Sequence, residues 1–375
     1  MITPRTDVSG HPATSAVEDS WRDAPHGPPF ASARRFRLLL CLLAVTAGVA
    51  AAVGVAVGPV TIGIPDVGRV LLAHLGAADA TTSAVDRIVW DVRLPRVLLA
   101  AVVGAALSVS GAVIQTVVRN PLGDPYLIGI VPGAGLGAVV VIVLGTGYTA
   151  GLSLTGAAFV GAIGAFGLTF GLARQAGGWG STRLVLSGVA VGYLLSALTF
   201  FLQTRASPTE LQRVLFWSLG SVSGAEWSDL PIVALVSLLG TTWLVIDGRR
   251  LNALVNGTDL ARSLGIDVAR FQLQLMLLTA LVTGAVVAVV GGIGFVGLVV
   301  PHLARLLVGA DHRRVLLVCV PLGAVLMLTA DLAAKMVLAP SEIPIGIVTA
   351  ATGAPFFLWL LSRAAPGSRG SGAAR

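Results

Sequence analysis

The chain is dominated by apolar runs about as long as a bilayer is thick, separated by short polar breaks. A membrane-spanning helix needs roughly 20 such residues. Ten stretches meet or approach this, near 38–60, 97–117, 126–146, 151–173, 183–202, 229–247, 271–290, 292–310, 314–338 and 344–362. Their apolar residues are continuous rather than alternating, which argues against a membrane β-barrel. Only 11% of the residues are charged and the mean hydropathy is +0.89. A soluble domain carries about a quarter charged residues. The expected fold is an all-α polytopic membrane protein of about ten helices. The 46 glycines suit close helix packing in lipid.

Arginine placement predicts the orientation. With the N-terminus inside, the inner loops hold more arginines than the outer ones, so both termini are expected in the cytoplasm of a multi-pass cell-membrane protein. The tails 1–35 and 364–375 are polar and small-residue-rich and are expected to be disordered. They flank a transmembrane domain at 36–363. No apolar h-region follows Met1, which speaks against a cleaved signal peptide. Cys41 and Cys319 lie in apolar runs and read as core residues.

An internal repeat is visible at an offset of 180 residues. Gly104, Gly111, Pro121 and Gly129 match Gly284, Gly291, Pro301 and Gly309. An offset covering five spans gives two five-helix halves of inverted topology, common among transporters.

No catalytic constellation appears. The single lysine, Lys335, follows Ala334, so no GxxxxGK[ST] phosphate loop exists, and neither HExxH nor GxSxG occurs. The histidines show no metal-ligand spacing, and no cofactor is expected. Four other features stand out.

The stretch "RRLNALVNGTDLARSLGIDVARFQ" carries six ionisable groups between two apolar spans. Leu251, Leu254 and Val255 share one helical face. Asn256-Gly257 breaks the chain, with Thr258 as a candidate N-cap. Leu260, Ala261 and Leu264 form a second stripe around Arg262, and Gly265 stands where a C′ glycine belongs. Two short helices at 251–270 follow, serving either as a surface hairpin or as a docking surface for a cytoplasmic partner. The segment "RNPLGDPYLIGIVPGAGLGA" is too rich in proline and small residues for an ordinary helix. It reads as a connecting loop or as a gate, since irregular backbone at membrane depth is tolerated when it lines a cavity. In "WDVRLPR", Arg93 and Arg96 run against the positive-inside trend. They either snorkel or receive carboxylates from an extracytoplasmic partner. Asp331 and Lys335, four apart in the ninth span, read best as a structural ion pair.

Together with "LVLSGVAVG", "GGIGFVGLVVPHLARLLVGADHRR" and "SEIPIGIVTAATGAPFFLWLL", these blocks resemble the FecCD-type permeases over roughly 36–363. That family supplies the membrane subunits of ABC importers for ferric siderophores, haem and vitamin B12. The resemblance implies ten helices per subunit and a second permease chain, identical or different. It implies a separate ATPase and a periplasmic or lipid-anchored binding protein; the net charge of +7, spread over loops with no basic, aromatic-interleaved face, does not suggest nucleic acid. It implies docking of the binding protein at Arg93, Arg96 and Lys335. A cytoplasmic gate falls at Asn120, Leu122, Ser181 and Thr182. ATPase coupling falls on Leu251, Leu254, Val255, Leu260, Ala261, Arg262, Leu264 and Gly265. A ferric siderophore is the first-choice substrate. The rival reading is an ion-coupled secondary transporter, and a third is a non-transporting scaffold.

Overall fold

A computed structural model describes residues 32–76, 84–175 and 181–364. Of the tails expected at 1–35 and 364–375, residues 1–31 and 365–375 lie outside the described residues. The first helix, α1 (Ala33–Ala56), begins inside the stretch expected to be a tail, because the Ser32 hydroxyl accepts the Arg35 backbone N–H and caps it. Then come α2 (Ile64–His74), α3 (Leu94–Val118), α4 (Ile130–Leu144), α5 (Leu154–Gln175), α6 (Ser181–Gln203) and α7 (Pro208–Ser218). The second half holds α8 (Leu230–Ile246), α9 (Gly248–Val255), α10 (Thr258–Ser263), α11 (Val268–Val290), α12 (Val296–Val308), α13 (His312–Met336) and α14 (Ile345–Ala364). No strand occurs among the described residues.

Six of these helices are long and apolar enough to cross a membrane, and α8 with α9 passes the same test as a pair bent by 54°. Three shorter apolar helices, α4, α12 and most of α14, complete the set. Each expected span coincides with one of these. The short ones follow irregular backbone: α4 follows 119–129, and α12 follows 291–295. The irregular part of the proline-rich segment ends earlier than expected. Pro132 stands in the first turn of α4, where a missing N–H costs no helical bond.

Contacts with the helix pair α9–α10 define one end of the bundle. Helix α3 runs toward that end and α11 runs away from it. Helix α3 packs on α12 and α13, and α11 packs reciprocally on α4 and α5; α1 lies on α3 as α8 lies on α11. The two halves are therefore inverted copies. The 180-residue pairing of individual residues does not hold. Leu94 and Val268 open one pair of equivalent helices, and Ile130 and Val296 open the next, so no single offset applies. Gly111 lies within α3 while Gly291 terminates α11, and Pro121 lies in a loop while Pro301 is inside α12. Those matches were compositional.

Small residues set the closest helix approaches. A Cβ on Gly104 would overlap the Gly323 carbonyl of α13, and one on Gly111 would overlap Gly297 of α12. Without a hydrophobic drive between helices in lipid, such backbone contact is a main source of association.

Candidate functional site: two ends of the bundle and a polar seam

At the end away from the helix pair, the chain enters α3 through a π-helical turn at Ile88–Arg93. Arg93 and Arg96 leave it pointing inward. Arg93 Nη1 donates to the carbonyls of Val55 at 2.8 Å and Ala56 at 2.7 Å, and Nη2 donates to that of Val60. These include the last carbonyls of α1, where a helix end attracts a cation. Arg96 Nε donates to Asp331 at 2.8 Å, and its Nη1 meets both Glu342 oxygens at 2.8 and 2.9 Å. Lys335 Nζ lies 2.6 Å from Asp331 and 3.4 Å from the Gly54 carbonyl.

Arg93, Arg96, Asp331 and Lys335 are all buried. The sequence offered snorkelling or an exposed patch for the two arginines. The structure places them instead in a closed frame joining α1, α3 and α13. Asp331 and Lys335 form the expected pair, and Arg96 makes it a triad. Beside the frame, the His74 ring stacks on Trp90 at 3.9 Å, and Trp227 Nε1 donates to the Trp90 carbonyl at 2.9 Å.

At the opposite end the polar interruption folds as expected, beginning at Gly248 rather than 251. Gly257, not Thr258, is the N-cap of α10, with φ of 127°. Its C-terminus is a Schellman turn. Gly265, with φ of 79°, donates to Arg262 O at 2.9 Å, and Ile266 donates to Ala261 O at 3.0 Å. The two stripes do not face one way. Leu251, Leu254 and Ala261 are 0, 1 and 0% exposed and anchor the pair to the bundle. Val255, Leu260 and Leu264 are 49, 46 and 63% exposed. Arg262 is exposed and paired with Asp259 at 3.1 Å. Leu254, read from sequence as part of a docking face, is an internal anchor.

The candidate gate loop hangs from the last turn of α3. Arg119 adopts the left-handed conformation at φ of 51°, ending the helix. The Asn120 side chain then accepts the Leu122 N–H at 2.9 Å, an Asx turn. Leu122 is exposed, and so is Thr182 in the first turn of α6; Ser181 opens that helix. Asp124 is buried and accepts the Tyr126 N–H at 2.9 Å. Burial pushes its carboxyl up to about 6 against the pull of that hydrogen bond. The Tyr126 hydroxyl in turn accepts the N–H of Ile293, so the two irregular segments, one from each half, are joined.

A polar seam that the sequence did not suggest lies between the ends. Pro301 has no N–H to donate to the Gly297 carbonyl four residues before it. The Gln115 side-chain amide of α3 donates to that carbonyl at 3.0 Å. The same side chain accepts from Arg305. One residue on, Thr116 Oγ1 lies 2.8 Å from His312 Nε2. Among the described residues no cluster could hold a metal ion.

This geometry can be set beside known proteins. The profile of the FecCD transport family matches residues 40–363. The chain belongs to the FecCD transport family. It is 41% identical over 290 residues to the hemin transport system permease protein HmuU of Yersinia pestis, covering 76% of this chain and 86% of that one. It is 42% identical over 274 residues to the cobalamin import system permease protein BtuC of Halobacterium salinarum, covering 73% of each. Among solved structures, a metal-chelate type ABC transporter in an inward-facing conformation superposes with a TM-score of 0.76 at 30% identity. It covers 87% of this chain and 99% of that one. A second, PsaBC from Streptococcus pneumoniae, shares the fold at TM-score 0.53 and 18% identity. The FecCD chain described here is thus a multi-pass membrane permease of the ABC importer class.

Proposed function

We propose that this permease conducts a metal chelate, haem or a corrinoid across the membrane, driven by a separate ATPase that docks on α9–α10. The observation that carries this is the split of the helix pair. Leu251, Leu254 and Ala261 fix it rigidly to the bundle, while Val255, Leu260 and Leu264 leave an apolar ridge uncovered. Large side chains held exposed on a well-anchored element suit a partner's groove. Since no phosphate loop exists in this chain, the energy must come from elsewhere. The helix-pair end is then cytoplasmic, and both termini face that side.

Asn120 and Leu122, with Ser181 and Thr182, form the inner mouth together with their counterparts in a second permease chain. A binding protein delivers substrate at the other end. Arg93 and Lys335 support that surface from within, and Arg96 meets a partner's carboxylate only by exchanging Glu342 for it. Ferric siderophore, haem and cobalamin are the substrate candidates. The relatives are named for hemin and cobalamin transport, and the selectivity rests largely with the binding protein.

Uptake by proteoliposomes containing the permease and its ATPase, loaded with ATP and supplied outside with the cognate binding protein, tests this with haemin, cyanocobalamin and ferric enterobactin as probes. ATP-dependent accumulation of one of them is expected. Accumulation driven by an imposed proton gradient without ATP would instead select the ion-coupled reading, for which the inverted halves and the intramembrane Asp331 are the grounds.

A further inference from the structure

The exposed ridge of α9–α10 and the loop 119–124 belong to different elements. The side chains between them form one continuous hydrogen-bonded line. Asn252 lies on the α9 face turned toward α13. Its Oδ1 accepts the His312 backbone N–H at 2.8 Å and lies 3.1 Å from His312 Nδ1. Its Nδ2 donates to Asp311 at 2.9 Å, and Asp311 accepts the Arg313 N–H at 2.9 Å. Asn252 thus holds the cap of α13. Gly248 brings the α9 backbone so near Arg313 that a Cβ there would lie 2.9 Å from the Arg313 Cα. Helix α9 and the first turn of α13 therefore move as one body.

From that body the His312 side chain reaches α3. His312 is buried, and its Nε2 meets the buried Thr116 hydroxyl at 2.8 Å. The Thr116 hydroxyl also lies 2.9 Å from the Ala112 carbonyl. Its one proton goes to His312 Nε2 when Nδ1 is protonated toward Asn252, and to Ala112 when Nε2 is the protonated nitrogen. Three residues past Thr116 the helix ends. Arg119 N donates to Thr116 O at 3.2 Å, and Asn120 N donates to Gln115 O at 3.0 Å. The carbonyls that fix where the loop starts thus belong to Gln115 and Thr116. Gln115 is itself held across the seam by Gly297 and Arg305.

We infer that Asn252, His312 and Thr116 form a strut that transmits displacement of the helix pair to the start of the loop 119–124, with His312 as the positioning residue at its centre. The inference rests on the reading of α9–α10 as the ATPase dock. It assigns the mechanical link by which a dock outside the bundle moves a mouth within it. A side chain bonded at both ring nitrogens between two packed helices suits this role, because the bonds fix orientation as well as distance.

The test uses the permease assembled with its ATPase in nanodiscs, comparing backbone hydrogen exchange without nucleotide and with ATP–vanadate trapped. Thr116→Val keeps the shape of the side chain and removes the hydroxyl; Thr116→Ser restores it. In wild type, exchange should change over both 251–264 and 116–128. In Thr116→Val the change over 251–264 should persist, while that over 116–128 falls roughly threefold or more, the scale of one lost neutral hydrogen bond. Thr116→Ser should retain both. A full response over 116–128 in Thr116→Val, or none there in wild type, would overturn the strut. Absence of change over 251–264 in wild type, with 116–128 still responding, would instead reject the dock.

Discussion

Arg96 Nε lies 2.8 Å from Asp331, buried between α3 and α13, and Lys335 closes on the other Asp331 oxygen at 2.6 Å. One carboxylate therefore serves two cations. Removing it leaves both cations short of a counter-charge, which costs far more than a surface pair. Asp331→Ala should lower unfolding stability in detergent by about 3–5 kcal/mol. A paired Asp331→Leu, Lys335→Met change, read by the same denaturation, should recover a large part of that loss. Arg96 would keep Glu342 in that variant.

Gln115 substitutes for the donor that Pro301 lacks. Gln115→Leu should destabilise the protein by about 1–3 kcal/mol, because the Gly297 carbonyl and Arg305 lose their partner inside the bundle. Pro301→Ala supplies an N–H to the same carbonyl. The double variant should then lie closer to wild type than the single effects summed. A thermal-denaturation double-mutant cycle measures the coupling.

The α3–α13 contact admits no side chain at Gly104. Gly104→Ala forces a methyl against the Gly323 carbonyl and should cost about 1–3 kcal/mol by overpacking. Gly68→Ala, with open space around its Cβ, serves as the control in the same melting experiment and should shift much less.

The Asp124 carboxyl supplies a pH dependence. Its folded value, pushed up to about 6, lies above the ordinary aspartate value. A raised acid favours the folded state fully below the unfolded value near 4 and loses that contribution as pH rises through 6. Relative to Asp124→Asn, which cannot ionise, wild type should therefore lose stability between pH 4 and pH 7. Chemical denaturation across that range checks the sign.

Much of this architecture is legible in the sequence because bilayer thickness and hydropathy fix it together. All ten spans, the break at Gly291 and the Gly265 turn are local signals. The side chains that join distant segments are not. Arg93 and Arg96 read as surface charges because a π-helical turn, which re-aims them inward, leaves no compositional trace. Leu254 and Leu260 carry the same stripe signal, and only packing against α13 decides which is buried. The seam at Gln115, Thr116 and His312 pairs residues nearly 200 positions apart, where no spacing rule reaches. The half-to-half repeat is genuine at the level of helices. Its residue matches failed because a Gly- and Ala-rich chain produces coincidences at many offsets.

The central claim is that the exposed ridge of α9–α10 receives the ATPase. The most direct measurement is the affinity of the purified ATPase for the permease in nanodiscs, comparing wild type with Leu260→Asp. A charge placed on the ridge, where Leu260 is 46% exposed, leaves the anchors Leu251 and Leu254 intact, so the melting temperature should hold. Affinity should fall about tenfold or more, as at an interface hot spot, and ATP hydrolysis in the assembled complex should lose its stimulation by substrate. Unchanged affinity in a folded Leu260→Asp variant would contradict the account.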